Sequence, residues 1–297
     1  MRSQASSSHS PSSAEPCLES DAHMPPPMTV SRAKRLVKRL MKPVSPGALR
    51  RALTDLTGGG CEALYVHSGL SSLGHVVGGP NAVVKALSEV CDNLFLPTHT
   101  YCYPPSPDHP APVFDARSTP SEMGLLAETF RRRDGVVRSI HSTHSLAGQG
   151  PLAAEICAGH YECETPCGQG TPYSRLVHRG AAALMLGVSF RYYTPFHTAE
   201  CESGSSSACE IDEVNRLRFL DENAVLAERL SRRQSRVTPR FHEAGALLER
   251  RGLARRLELG LGTLLFVSDM SQVHEFLVER LRKTPDFLRS TCTAELT

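Results

Sequence analysis

Four short apolar runs constrain this chain more than any other feature of it. Ala63-Leu64-Tyr65-Val66, Leu94-Phe95-Leu96, the stretch 181–188 and the stretch 261–267 are apolar almost without interruption. Runs of that length, bounded by Gly and Pro, read as buried strands. Helical patterns lie between and around them. Ser45-Pro46-Gly47 opens a helix that reaches Leu56 and stops at Gly58-Gly59-Gly60. Asn81 is placed to cap a helix running to Val90 after the Gly78-Gly79-Pro80 breaker. Further helices are expected over 121–133, 210–232, 241–250 and 270–282, the last capped by Ser268 or Asp269. Strands alternating with helices predict an α/β architecture, with one mixed domain over 45–290.

Two segments precede that domain. Residues 1–29 are rich in Ser and Pro and carry too little apolar surface to offset the entropy of ordering, so they are expected to be a disordered tail. Residues 30–44 place Val30, Ala33, Leu36, Val37, Leu40, Met41 and Val44 at helical spacing among six Lys and Arg, which predicts a basic amphipathic helix.

Charge and cysteine usage narrow the function classes. The 297 residues hold 33 Lys plus Arg against 31 Asp plus Glu, a net charge of +2, which argues against nucleic acid as a partner. No apolar run approaches the length of a membrane span, and the N-terminal stretch has no apolar signal core. The ten cysteines include no CxxC pair, so reduced thiols and a cytoplasmic location are expected. Cys163 and Cys167 beside His160 come nearest to metal-ligand spacing. His141 and His144 lack an evident third ligand, and no metal site is expected.

Three stretches have the residue types that chemistry needs. Residues 66–80, VHSGLSSLGHVVGGP, follow a strand with three serines and several glycines, a composition that suits a phosphate or carbonyl oxygen and equally suits a tight loop. Residues 96–102, LPTHTYC, put Thr98, His99 and Thr100 at the end of a strand, where ligands of α/β folds gather. Residues 192–200 end in His197 and Glu200, three apart. On a helix these share a face, and a carboxylate beside an imidazole fixes its tautomer and makes a general base. The HxxE spacing alone is common and nonspecific. Cys102, near His99 in sequence, is an alternative nucleophile.

Taken in order, HSGLSSLG…VVGG, LPTHTYC, VFD…STPSEMGLLAETFRR, RS-IHSTHS, GTPYSRL and LMLGV…YTPFHTAE resemble the aminoglycoside 3-N-acetyltransferase family, the antibiotic N-acetyltransferases. The resemblance implies that family's own mixed α/β fold, distinct from the GNAT fold, and an acyltransferase that uses acetyl-CoA or another acyl-CoA as co-substrate. It implies His197 and Glu200 as the catalytic pair. It also implies a cofactor-binding set of His67, Ser68, Ser71, Ser72, Leu73, Gly74, Gly78, Thr98 and Ser145. His99, Asp115 and Glu202 are the candidates on the acceptor side. Direct transfer in a ternary complex is expected. The acceptor would be the 3-amino group of an aminoglycoside. The alternatives are a different amine in natural-product biosynthesis, or a noncatalytic binding protein on the same fold. The implied partners are small molecules, with a homodimer left open.

Overall fold

The computed structural model describes residues 43–100, 102–103, 109–204, 211–234 and 240–289, with the backbone path alone for 211–215 and 231–234. Segment 1–29 and the basic stretch expected to be helical lie outside the described residues, save its last two. Of those, Val44 pairs with Val76 in a β-bridge, so the chain is extended where the amphipathic pattern ends.

A seven-stranded sheet carries the fold. Its order is β4-β5-β2-β1-β6-β10-β9, where β1 is Cys61–Ser68, β2 Cys91–Pro97, β4 Val137–Arg138, β5 Leu146–Gln149, β6 Ala182–Leu186, β9 Arg255–Leu259 and β10 Gly262–Val267. The central strands β2, β1 and β6 are parallel, and the flanking pairs are antiparallel. Helices cover both faces. On one side lie α1 (Pro46–Thr57), α2 (Gly79–Ser88) and α3 (Leu125–Arg131). On the other lie α4 (Ala153–Cys157), α5 (Pro172–His178), α6 (Phe196–Glu202), α7 (Phe241–Arg250) and α8 (Met270–Lys283).

The continuous apolar runs follow from this covering. Successive residues of a strand point to opposite faces. Thus Ala63 and Tyr65 enter the core beneath α5, α7 and α8, while Leu64 and Val66 enter the core beneath α1 and α2. With neither face in water, no alternation survives in the sequence.

The end signals behave as the residues dictate in most places. The Ser45 hydroxyl accepts from the Ala48 amide at 3.1 Å, and Asp269 accepts from the Ser271 amide at 2.8 Å, so both caps form. Helix α2 starts earlier than expected: Gly78 and Gly79 take φ of 82° and 59°, and Asn81 lies inside the helix instead of capping it. Helix α3 is shorter than 121–133. Glu128 reaches back to accept from the Ser121 amide at 2.8 Å, holding 121–124 as a loop over the first turn.

The stretch 210–232 corrects an expectation. Its described residues, from 211 on, form a hairpin of β7 (Ile211–Leu220) and β8 (Leu226–Gln234), joined to β3 (Val113–Phe114) in a second, three-stranded sheet. Leu217 and Phe219 are buried while Arg216 is exposed, the alternation of a half-buried strand. The turn is built by Asp221, whose Oδ1 accepts from the amides of Asn223 at 2.9 Å and Val225 at 2.8 Å. No described helix is long and apolar enough to cross a membrane.

Candidate functional site

The three parallel strands end on the same side of the sheet, and a cleft of about 680 Å³ opens there. Position outside the carboxyl ends of parallel strands is where ligands bind in open α/β sheets. His67 and Ser68 come from the end of β1, His99 from just after β2, and Gly187 and Ser189 from just after β6. His144, Tyr192, His197 and Phe241 complete much of the wall, with Glu122 and Arg191 as its charged members.

Glycine makes the floor of the cleft possible. The Gly69 amide donates to the Leu186 carbonyl at 2.8 Å. A Cβ on Gly69 would stand 2.6 Å from the Val188 side chain, and one on Gly187 would stand 2.8 Å from the Gly69 carbonyl. Gly187 also has a φ of 71°. The loops after β1 and β6 therefore touch backbone to backbone, which only glycine permits.

His197 sits in the first turn of α6, and its Nδ1 lies 2.7 Å from Glu200 Oε2. The three-residue spacing on one helix face produces the contact. Glu200 is buried, and its Oε1 accepts from Arg289 Nε at 3.0 Å. Burial pushes the Glu200 carboxyl up, but the hydrogen bond and charge of His197 and the Arg289 guanidinium more than offset it, leaving the group below the usual carboxylate range. The ionised carboxylate accepts a hydrogen bond from Nδ1–H of His197, the tautomer in which a neutral ring has its lone pair on Nε2. The Phe241 ring stands edge-on to the imidazole, 4.9 Å between centroids.

Two other histidines of the site, His67 and His99, are held below the ordinary imidazole range. Burial drives His67 down to about 4, and its Nδ1 has no hydrogen-bond partner. Burial, then the neighbouring His144, His67, His141 and His160, pushes His99 well below the ordinary value. His99 Nε2 is fixed 2.7 Å from the Tyr173 hydroxyl, which donates to the His144 carbonyl. With that hydroxyl proton engaged, Nε2 is the donor toward Tyr173 and Nδ1 is the acceptor.

The structure brings together only part of the cofactor set inferred from the sequence. His67, Ser68 and Ser72 line the cleft. Ser71 is on the exposed side of the same 3₁₀ turn, Leu73 is in the core, and Gly74 and Gly78 serve left-handed backbone positions. Thr98 and Ser145 are fully buried and bound to each other. Ser145 Oγ donates to the Thr98 carbonyl at 2.7 Å, and Arg138 donates to both hydroxyls at 3.1 and 3.0 Å. They join the end of β2 to the start of β5 and leave no surface on the cleft. Burial pulls Arg138 itself down to about 10.

On the acceptor side, His99 lines the cleft and the other two candidates do not. Asp115 lies at a second cavity, of about 640 Å³, among Arg117, Arg131, Arg132 and Arg133, where it accepts from the Ser118 hydroxyl at 2.6 Å. Glu202 turns to the opposite side of α6 and is engaged by Ser174, His178 and His274. Burial raises the Glu202 carboxyl, but hydrogen bonds from His274 and Ser174 bring it down to about 2. Cys102 is away from the cleft, packed with Phe114 and Phe219, and burial raises its thiol. Cys163, Cys167 and His160 do not converge as ligands: His160 is bonded to Ser139 and to the Pro166 carbonyl.

Arg289, Arg138, Tyr173 and Glu122 were not among the sequence candidates. Nothing local marks Arg289, which lies 89 residues from its partner.

The fold and cleft have known counterparts. The aminoglycoside 3-N-acetyltransferase family model matches residues 65–290. The chain belongs to that family. It is 31% identical over 228 residues to aminoglycoside N(3)-acetyltransferase VII of Streptomyces paromomycinus, an alignment covering 70% of this chain and 73% of the relative. It is 30% identical over 190 residues to aminoglycoside N(3)-acetyltransferase VIII of Streptomyces fradiae, covering 57% of this chain and 65% of the relative. Among solved structures, aminoglycoside acetyltransferase AAC(3)-Xa superposes with a TM-score of 0.73 at 24% identity, over 86% of this chain and 98% of that one. The complex of AAC-IIIb with CoASH gives 0.70 at 20% identity, over 85% and 100%. The family's mixed α/β fold is thus the fold of this chain, and its members are acyltransferases.

Proposed function

We propose that this chain transfers an acetyl group from acetyl-CoA to an amine, with His197 as general base. The observation that carries this reading is the buried Arg289–Glu200–His197 chain, which ends on the wall of the cleft. An amine attacks a thioester only through its lone pair. The amine nitrogen forms the bond to the acetyl carbon, Nε2 of His197 takes the proton the nitrogen sheds, and the carbon–sulfur bond breaks to release CoA thiolate. The proton on His197 is then available to the thiolate. Atoms and charge balance without an acyl-enzyme, in keeping with direct transfer in a ternary complex.

Glu200 and Arg289 position the base. The carboxylate fixes the imidazole with Nδ1 protonated and stabilises the imidazolium, and Arg289 keeps that carboxylate ionised. The hydroxyls of Ser68 and Ser72, with backbone amides of the glycine-rich turn, are the donors available to the developing oxyanion. His67, held neutral, is the weaker candidate for the base and suits a hydrogen bond to substrate.

The relatives' names make the 3-amino group of an aminoglycoside the leading acceptor. One observation favours a second acceptor class. Among the described cleft-lining residues Glu122 is the sole carboxylate and Arg191 the sole guanidinium, a balance that offers only a modest attraction for a polycation. That supports a less cationic amine as the alternative.

The deciding assay is thiol release from acetyl-CoA with a panel of aminoglycosides and simpler amines, with the product weighed by mass spectrometry. A gain of one acetyl on an aminoglycoside is expected. Turnover confined to other amines selects the second acceptor class, and CoA binding without turnover on any amine refutes the transferase reading.

A further inference from the structure

Behind the helix that carries His197, three helices converge on a group of side chains that the proposed chemistry does not use. His178 closes α5, Glu202 closes α6, and His274 lies in the second turn of α8. Glu202 Oε2 is 2.8 Å from His178 Nε2 and 3.0 Å from His274 Nε2. The ligand atoms of all three lie within 4.8 Å of one another, and among the described residues they are the one such group of His, Cys, Asp or Glu.

We infer that His178, Glu202 and His274 form a binding site for a divalent transition-metal ion of the zinc type, tying α5 and α8 to α6. Four features support it. Two imidazoles and one carboxylate are a ligand set that Zn²⁺ takes, with bonds of about 2.0–2.2 Å. Ligand atoms at tetrahedral corners are then about 3.3 Å apart. The two observed nitrogen-to-oxygen separations need to open by only a few tenths of an ångström.

The second feature is the carboxylate's outer support. Ser174 Oγ donates to Glu202 Oε1 at 2.8 Å, which fixes the group and leaves Oε2 for the ion. The third is the tautomer of His274. Its ring is buried, and its Nδ1 has no hydrogen-bond partner. Without an ion, Nε2 carries the ring proton and donates it to Glu202 Oε2; the unpartnered Nδ1 is the position that takes that proton when an ion replaces it on Nε2. The fourth is access. The His178 side chain is 57% exposed, which gives an entry path and room for a water as fourth ligand.

The sequence showed none of this. The three residues are spaced 24 and 72 apart, and no local pattern joins them. The site would be structural: it would brace the end of α6, whose other end holds His197.

The full-length protein, stripped with a chelator, is titrated with Zn²⁺ in competition with a chromophoric chelator, and its melting temperature is followed in parallel. One equivalent of tight binding and a rise in melting temperature are expected. His178→Ala, at an exposed position, should fold normally, weaken binding by at least about 10-fold and abolish the thermal shift. Ser174→Ala should weaken binding about 10-fold through the second oxygen. Co²⁺ should give a tetrahedral visible spectrum without a thiolate charge-transfer band. No tight equivalent, unchanged binding in both His178→Ala and His274→Gln, or a thiolate band overturns the site.

Discussion

Arg289 Nε stands 3.0 Å from Glu200 Oε1, and both side chains are buried. The guanidinium supplies the second partner that lets Glu200 remain a carboxylate in the core while its other oxygen holds His197. A buried pair of this kind is costly to break from one side, since the remaining charge is left uncompensated. Arg289→Met should therefore lower unfolding free energy by about 3–5 kcal/mol in a denaturant titration. An unchanged midpoint would show that Glu200 does not need the guanidinium.

The base assignment makes its own demand. His197→Ala should cut kcat by at least about 10²-fold while CoA affinity stays near that of the parent protein. Glu200→Gln, which keeps the shape but loses the charge, should fall between the two. Thiol-release kinetics with parallel CoA titrations check this, and near-parental turnover in His197→Ala would remove His197 as the base.

Buried neutral histidines link stability to acid. His160 is held at about 4 by burial, against an ordinary value of 6.5. Below 6.5 the unfolded chain takes up a proton that the folded chain refuses, so stability falls as pH drops from about 6.5 toward 4. His160→Gln should make the dependence of unfolding free energy on pH shallower in that window by up to about 1.4 kcal/mol per pH unit. Denaturant titrations at several pH values test it, and equal slopes for variant and parent would count against a neutral buried His160.

Cys102 should be dispensable to the chemistry. Its thiol is packed against Phe114 and Phe219 and raised by burial, so it is neither a thiolate nor at the cleft. Cys102→Ala should keep kcat within a few-fold, and mass spectrometry after a single turnover should find no acetyl on the protein. A trapped acyl-cysteine would replace the direct-transfer scheme.

Gly187 should not tolerate a side chain. Its φ of 71° opposes one, and so does the Gly69 carbonyl, which would lie 2.8 Å from a Cβ at this position. Gly187→Ala should cost about 1–3 kcal/mol of stability and disturb the floor of the cleft. A melting temperature and a KM equal to the parent's would contradict the close approach.

The sequence by itself determined the four adjacent strands β2, β1, β6 and β10, because burial on both faces leaves a signature that needs no partner to read, whereas the short or half-exposed β4, β5 and β9 left none. It also determined the His197–Glu200 contact, since three residues on one helix turn meet wherever the helix lies. It misread 210–232, where charged residues at near-helical spacing hid the alternation of Leu217 and Phe219 and the turn made by Asp221. The tertiary structure alone decided which hydroxyls reach the cleft. Ser68 and Ser72 do, while Thr98 and Ser145 satisfy each other and Arg138 instead. It alone supplied Arg289 to Glu200, and joined His178, Glu202 and His274. Those contacts join residues many positions apart, and local propensity has no range over such distances. They exist only because helices packed on a common sheet bring their ends together, and no spacing in the chain encodes which ends will meet.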